Sequence, residues 1–350
     1  MPLYNVAPNP SGGDDTAALQ AAINSTPDGG CLAFPANSVY QAGTLKLYSR
    51  TAVRLVSFGG TDLASLSGSG TVFHYIGPAG ALAMIDVNWS HRCSIEGIRL
   101  DMSGPTFPTC GVSVDEWPDP TQAAHTTVCS QFQLLRCVVA LPGKSGCDGM
   151  WISKQSKTNC EFTEVRDCIF QPFNNTPGMG SGVVQWASFN AKLLRIIRSG
   201  FSYLTNGVQI YEGGCLVEGC WGTGNAADVR ISGLSDVLTV RDCRFEQSGI
   251  GITCDPLEIP QDSAIMVEGN VWGSITGPYC AYIPGRQVMF RGNKFQPANP
   301  QTPPAMFQPQ LPTAGGSLWW VGNLLTDRIA DNSSQAYQNV TSAMNWGRSY

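Results

Sequence analysis

Glu212 and Asp255 close two short segments of similar pattern, GVQIYE from Gly207 and GIGITCD from Gly249. Two carboxylates flanking a bond are what glycoside hydrolysis requires, about 5 Å apart for retention and roughly 6.5–9.5 Å for inversion. If the two segments are strands two layers apart in one stack, the spacing is about 2 × 4.8 Å, near the inverting range. Asp115 and Glu116 lie at the same end of an earlier segment, while Asp148 and Asp228 lie at the opposite end of theirs. A second chemistry is also legible. Elimination on a uronic acid needs the substrate carboxylate neutralised, by Arg230 or Lys154, and its C5 proton removed, by Tyr211. Arg230 serves equally as a surface ion-pair partner of Asp228 or Glu212.

These candidates share one column of segments: GVSVDEW at Gly111, GMWISK at Gly149, GVVQWAS at Gly182, GVQIYEG at Gly207, DVRISG at Asp228 and GIGITCD at Gly249. Side chains alternate in and out along a strand. With Val112, Met150, Val208, Val229 and Ile250 inward, the outward set is Ser113, Asp115, Trp151, Ser153, Gln209, Tyr211, Arg230, Ser232 and Thr253. The segment at Gly182 leaves either Gln185 or Trp186 outside. A polar face with aromatic platforms suits sugars. Trp151, Lys154, Gln185, Trp186, Gln209, Asp115 and Glu116 are its expected substrate contacts.

A second recurring motif shows what must hold that face in place. FTEVRDCIF, LTVRDCRF, IMVEGNVW and VMFRGNKF repeat one pattern, and its alignment puts Cys137, Cys168, Gly200, Cys220, Cys243, Asn270, Asn293 and Asn323 in one position. The steps run from about 20 to 32 residues, too uneven for a helical repeat or a propeller blade. Short alternating runs of Val, Ile, Phe and Trp between Gly, Asn, Ser and Pro are strand and turn signals. They predict a single-stranded right-handed parallel β-helix, an all-β solenoid. Its coils stack at about 4.8 Å, and loops inserted at the turns explain the unequal steps. Cys over Cys and then Asn over Asn reads as an internal ladder, because a buried amide must be satisfied.

Composition narrows the function classes. The net charge is −5 with only 13% charged residues, which disfavours nucleic acid as a partner. No apolar run is long enough to span a membrane, and the N-terminal MPLYNVAPNPSGGDD lacks the regions of a signal peptide. Thirteen cysteines form an odd set, several of them at one repeat position, so buried free thiols are expected rather than disulfides. Cysteine spacing and three histidines match no zinc site, and neither a metal nor a cofactor is expected. Five Asn-x-Ser/Thr sequons begin at Asn24, Asn88, Asn174, Asn332 and Asn339.

The opening GDDTAALQAAINSTPDGGCLAFPANSVYQAGTLKL, followed by CSIEGIRLD, resembles the start of pectate-lyase-superfamily β-helix proteins, a group that includes polygalacturonase-like enzymes and phage tailspike depolymerases. The resemblance implies a polysaccharide substrate bound on the outer face of the coils, an extracellular or virion-associated setting, and a homotrimer. CDGMWI resembles the Asn-Thr-Asp-Gly segment of polygalacturonases, which matches Asp148 to one catalytic acid. Ser181-Gly182 stands where those enzymes carry Gly-Asp-Asp, no Gly-His-Gly follows, and no calcium-binding aspartate cluster is present. The polygalacturonase mechanism is therefore not expected. The expected layout is an N-terminal cap over 1–45 with a helix at about 15–24, coils over 46–325, and a C-terminal cap or tail over 326–350. The leading expectation is a glycoside hydrolase. A polysaccharide lyase, an epimerase or transglycosylase, and a non-catalytic carbohydrate-binding rod remain alternatives.

Overall fold

The computed structural model describes residues 4–59, 70–116, 129–154, 160–176, 179–186, 193–234, 236–255, 264–283, 287–298, 305–307, 317–325, 329 and 339–343. Each coil follows one circuit. Leu194–Ile197 is a strand of a first sheet, Gly200–Ser202 of a second and Asn206–Ile210 of a third, after which the chain re-enters the first sheet at Cys215–Glu218. Equivalent strands of successive coils pair in parallel, Leu194 with Cys215, Gly200 with Trp221 and Asn206 with Ala227. The three sheets hold 13, 11 and 10 strands among the described residues. This is the expected right-handed parallel β-helix, the hand that parallel crossovers take.

The repeat motif has a local cause at the corner between the first and second sheets. Gly97, Arg136, Asp167, Arg198, Gly219, Asp242, Gly269, Gly292 and Gly322 stand there one above another, all with φ between 46° and 68°. Glycine enters this left-handed region without a Cβ penalty, and Asp tolerates it better than most residues. The residue that follows points inward. Its backbone N–H has turned out of the strand ladder, so a side chain of the next coil must accept it. Cys137 N–H donates to Cys168 Sγ and Cys168 N–H to Ser199 Oγ. Further along, the N–H groups of Cys243, Asn270 and Asn293 donate to Oδ1 of Asn270, Asn293 and Asn323. Ser199, not Gly200, is thus the ladder residue of its coil. Gly200 instead opens the next strand, paired with Ile169 and Trp221.

Inside, each sheet contributes a column of apolar side chains. Val112, Met150, Val183, Val208, Val229 and Ile252 share one register in the third sheet, and all are fully or nearly fully buried. Ile252, rather than Ile250, therefore takes the inward place beside Val229. The second sheet contributes aromatics, with Phe170 on Phe201 at 5.3 Å and Trp272 on Phe295 at 5.0 Å, both pairs stacked. All thirteen cysteines are free and buried, and burial pushes the Cys93 thiol up to about 12. The helix Thr16–Ser25 lays Leu19 and Ile23 on the core. Asp15 stands at its N-cap but turns its carboxylate to the Ser11 and Gln41 N–H groups, and Asp14 takes the Thr16 N–H instead.

Candidate active site

The register of the third sheet decides which side chains meet outside. One outward column runs Ser113, Trp151, Val184, Gln209, Arg230, Thr253. Tyr211, Ser232 and Asp255 follow the paired Ile210, Ile231 and Cys254, so they form a second column, preceded by Trp186. Asp255 thus stands in register with Tyr211, two coils on, with Glu212 one residue beyond. The Glu212 and Asp255 backbones are separated by about 9.6 Å along the axis, a gap that side chains can close into the inverting range.

At one end of this face is an aromatic cluster. Trp151 meets Trp186 edge-on at 6.2 Å, and Trp186 stacks on Tyr211 at 4.4 Å with planes 4° apart. The Lys154 ammonium lies 3.3 Å from the Trp151 ring centroid and 4.5 Å from that of Trp186, a cation–π site. Because Trp186 and Tyr211 are stacked about one coil rise apart, their planes lie across the axis. They present edges to solvent, not the flat platforms expected from the sequence. The face of Tyr211 turned away from Trp186 looks along the column toward small Ser232, with Asp255 beyond.

Asp148 belongs to this cluster. Its carboxylate accepts the Trp151 indole N–H at 2.6 Å and the Ser181 N–H at 2.7 Å. Burial nevertheless holds its pKa above the usual carboxylate range, and burial pushes that of Lys154 down. A polar chain then crosses the face. Asn206 donates to Ser181 Oγ and Gln209 Oε1, and Gln209 donates to Tyr211 Oη at 2.8 Å and Ser232 Oγ at 3.3 Å. Ser181 and Asn206 were missed in the sequence reading. The signal was their place directly before Gly182 and Gly207, which points outward when the glycine faces in.

Arg230 pairs with Asp255, neither with Asp228 nor with Glu212. Its Nη2 lies 3.1 and 3.2 Å from the two carboxylate oxygens, and Ser232 Oγ donates to one of them at 2.8 Å. Glu212 is half-buried, and its carboxylate has no ion-pair partner among the described residues. Burial raises the Tyr211 phenol above its usual pKa, which opposes the role of base.

Four candidates fall away from the open face. Gln185 shares the inward register of Ile210 and is fully buried, which leaves Trp186 outside. Asp228 stands between Gly207 and Gly251 in an inward column that also holds Gly111, Gly149 and Gly182, and it is 0% exposed. Asp115 is also 0% exposed and accepts the Glu116 N–H. Glu116, itself buried, accepts the Cys129 N–H. Those two carboxylates brace local backbone. Among the described residues no group of three or more ligating side chains could hold a metal.

No family model and no curated protein matches this sequence. Solved structures match the fold. The catalytic unit of a thermostable GH87 α-1,3-glucanase from Streptomyces thermodiastaticus aligns with a TM-score of 0.64 at 15% identity, over 97% of this chain and 67% of that one. A tailspike protein of E. coli bacteriophage HK620 aligns at 0.59 and 14%, over 96% and 68%. The enzymatically active domain of bacteriophage CBA120 tailspike protein 2 aligns at 0.62 and 12%, over 89% of this chain and 45% of that one. At such identities the likeness is one of fold. No helix among the described residues is long and apolar enough to cross a membrane.

Proposed function

We propose that this chain degrades a polysaccharide lying along the outer face of the third sheet, by hydrolysis with Glu212 and Asp255 as the carboxylate pair. The observation that carries the reading is the column Tyr211, Ser232, Asp255 on the outer face, with Glu212 next to Tyr211 and Arg230 bonded to Asp255. A pyranose seated there stacks on Tyr211 and lies between the two carboxylates. Asp255, oriented by Arg230 and Ser232, takes a proton from a water that attacks the anomeric carbon. Glu212 gives its proton to the departing glycosidic oxygen. Lys154 supplies hydrogen bonds along the polymer, while Asn206 and Gln209, their amide hydrogens donated within the site, hold Tyr211 and Ser232 in place.

The shared architecture with a glucanase and phage tailspikes supports a polysaccharide-degrading role. Elimination fits the site less well, since Arg230 is engaged by Asp255 and the Tyr211 phenol is hard to deprotonate. An extracellular or virion-associated setting and a homotrimer accompany the proposal. Light scattering in solution tests the trimer. For the reaction, products from a panel of neutral and acidic polysaccharides are weighed by mass spectrometry. Fragments heavier by one water, lost in Glu212→Gln and Asp255→Asn, are expected. Unsaturated fragments, or hydrolysis indifferent to both substitutions, overturn the assignment.

A further inference from the structure

Trp221 lies on the outer face of the second sheet, on a different side of the solenoid from the groove, and is 44% exposed. One coil earlier its partner is Gly200. A Cβ on Gly200 would lie 2.4, 2.6 and 2.7 Å from the indole atoms Cζ2, Cε2 and Cη2. Three adjacent ring atoms at nearly one distance mean that the indole covers the glycine with its face, not its edge. The ring lies flat on the backbone, and nearly half of the residue's surface stays exposed. That contrasts with Trp186 and Tyr211, which turn edges to solvent.

Polar groups frame the flat ring. Thr223 is two residues along the strand and half-buried. Arg244 follows one coil later, held by Glu246 through Nε at 2.9 Å and Nη2 at 2.7 Å. A singly exposed apolar side chain is ordinary. An indole pinned flat over a glycine beside a hydroxyl and a fixed guanidinium–carboxylate pair has the form of a sugar platform. The C–H face of a pyranose covers the ring while its hydroxyls reach polar groups at the rim.

We propose that the second sheet carries an accessory carbohydrate-binding site centred on Trp221, taking pyranose units of the same polymer that the groove cleaves. The inference rests on the proposed function for the identity of that polymer. By holding the chain on a second face, the site would raise the local concentration of substrate without touching the reacting bond.

The test is migration through native gels cast with carboxymethyl α-1,3-glucan, polygalacturonate or E. coli O-polysaccharide, beside initial rates on polymer and on its short oligosaccharides. Trp221→Ala should weaken retention roughly tenfold, the ratio that 1.4 kcal/mol of lost stacking produces. It should raise KM on polymer and leave rates on short oligosaccharides unchanged. Gly200→Ala, which lifts the indole without deleting it, should do the same, while Trp221→Phe keeps most of the retention. Melting curves confirm that each variant is folded. Retention of Trp221→Ala equal to wild type, or wild-type protein retained in none of the gels, overturns the inference. Trp221-dependent retention without cleavage upholds this site and sinks the proposed reaction, so the two failures are distinguishable.

Discussion

Asp228→Asn should remove a pH-dependent loss of stability that the wild-type protein carries between about pH 4 and 7. Asp228 is a carboxyl in a column of glycines, fully buried, with Oδ1 taking hydrogen bonds from Asn225 Nδ2 at 3.0 Å and Ser248 Oγ at 2.7 Å. Its Oδ2 has no hydrogen-bond partner among the described residues. Burial dominates these bonds and pushes its pKa from 3.8 up to about 7. The unfolded chain releases that proton near pH 4, whereas the native state keeps it until about pH 7. Between those values the native state binds more protons, so stability falls as pH rises, by at most 1.36 kcal/mol per pH unit. From 3.8 to about 7 the whole loss is about 4 kcal/mol, with roughly 2 kcal/mol of it between pH 5 and 7. Asparagine keeps an acceptor for Asn225 and Ser248 and cannot titrate. Urea midpoints followed by tryptophan fluorescence at pH 5, 6 and 7 check the point. Asp148 and His91 titrate in both proteins, so the readout is the difference between the two slopes. Equal slopes for wild type and variant would refute the reasoning.

Three further outcomes are expected. Glu212→Gln and Asp255→Asn should each lower kcat by about 10²–10⁴ with polymer binding retained, measured by reducing-end release beside gel retardation. Gly182→Ala puts a Cβ 2.5 Å from both the Gly207 carbonyl oxygen and the Phe201 ring. That overpacking should cost about 1–3 kcal/mol, seen as a lower melting temperature, and an unchanged melt would discount the glycine column. Asn293→Ala removes the acceptor of the Asn270 N–H and the donor to Val267 O. It should destabilise by about 1–3 kcal/mol, and urea unfolding reads the change.

The solenoid was legible because its physics is local and repeated. A left-handed corner selects Gly or Asp, and the inward residue after it must accept an N–H, so VRDC and VEGN recur wherever the chain turns. The one slip, Gly200 for Ser199, came from a coil spelled RSGF, where Arg198 holds the corner and the alignment followed the glycine. The candidate site was legible only in part. Alternation put Trp151, Gln209, Tyr211 and Arg230 on the outer side of the sheet, where Trp151 and Gln209 are nonetheless buried. It failed where the strands bend at their glycines, since Asn206 faces out while Gly207 and Val208 both face in. Asp228, in the place of such a glycine, therefore reads as surface in the sequence and lies in the core.

What the sequence by itself determined is the coil: where it turns, which residues stack as a ladder, and that one face is polar and aromatic. Those follow from backbone conformation and from side chains repeated at one place per turn. Only the tertiary structure decided which coil lies against which, and with what offset. A shift of two residues at Gly249 moves Asp255 from one place past Glu212 to the register of Tyr211, and so beside Arg230 and Ser232. It likewise laid Trp221 flat over Gly200 and turned Trp186 and Tyr211 edge-on. Such contacts join residues about 20 to 30 positions apart through backbone pairing, and no local pattern encodes that offset, because loops of unequal length separate the strands.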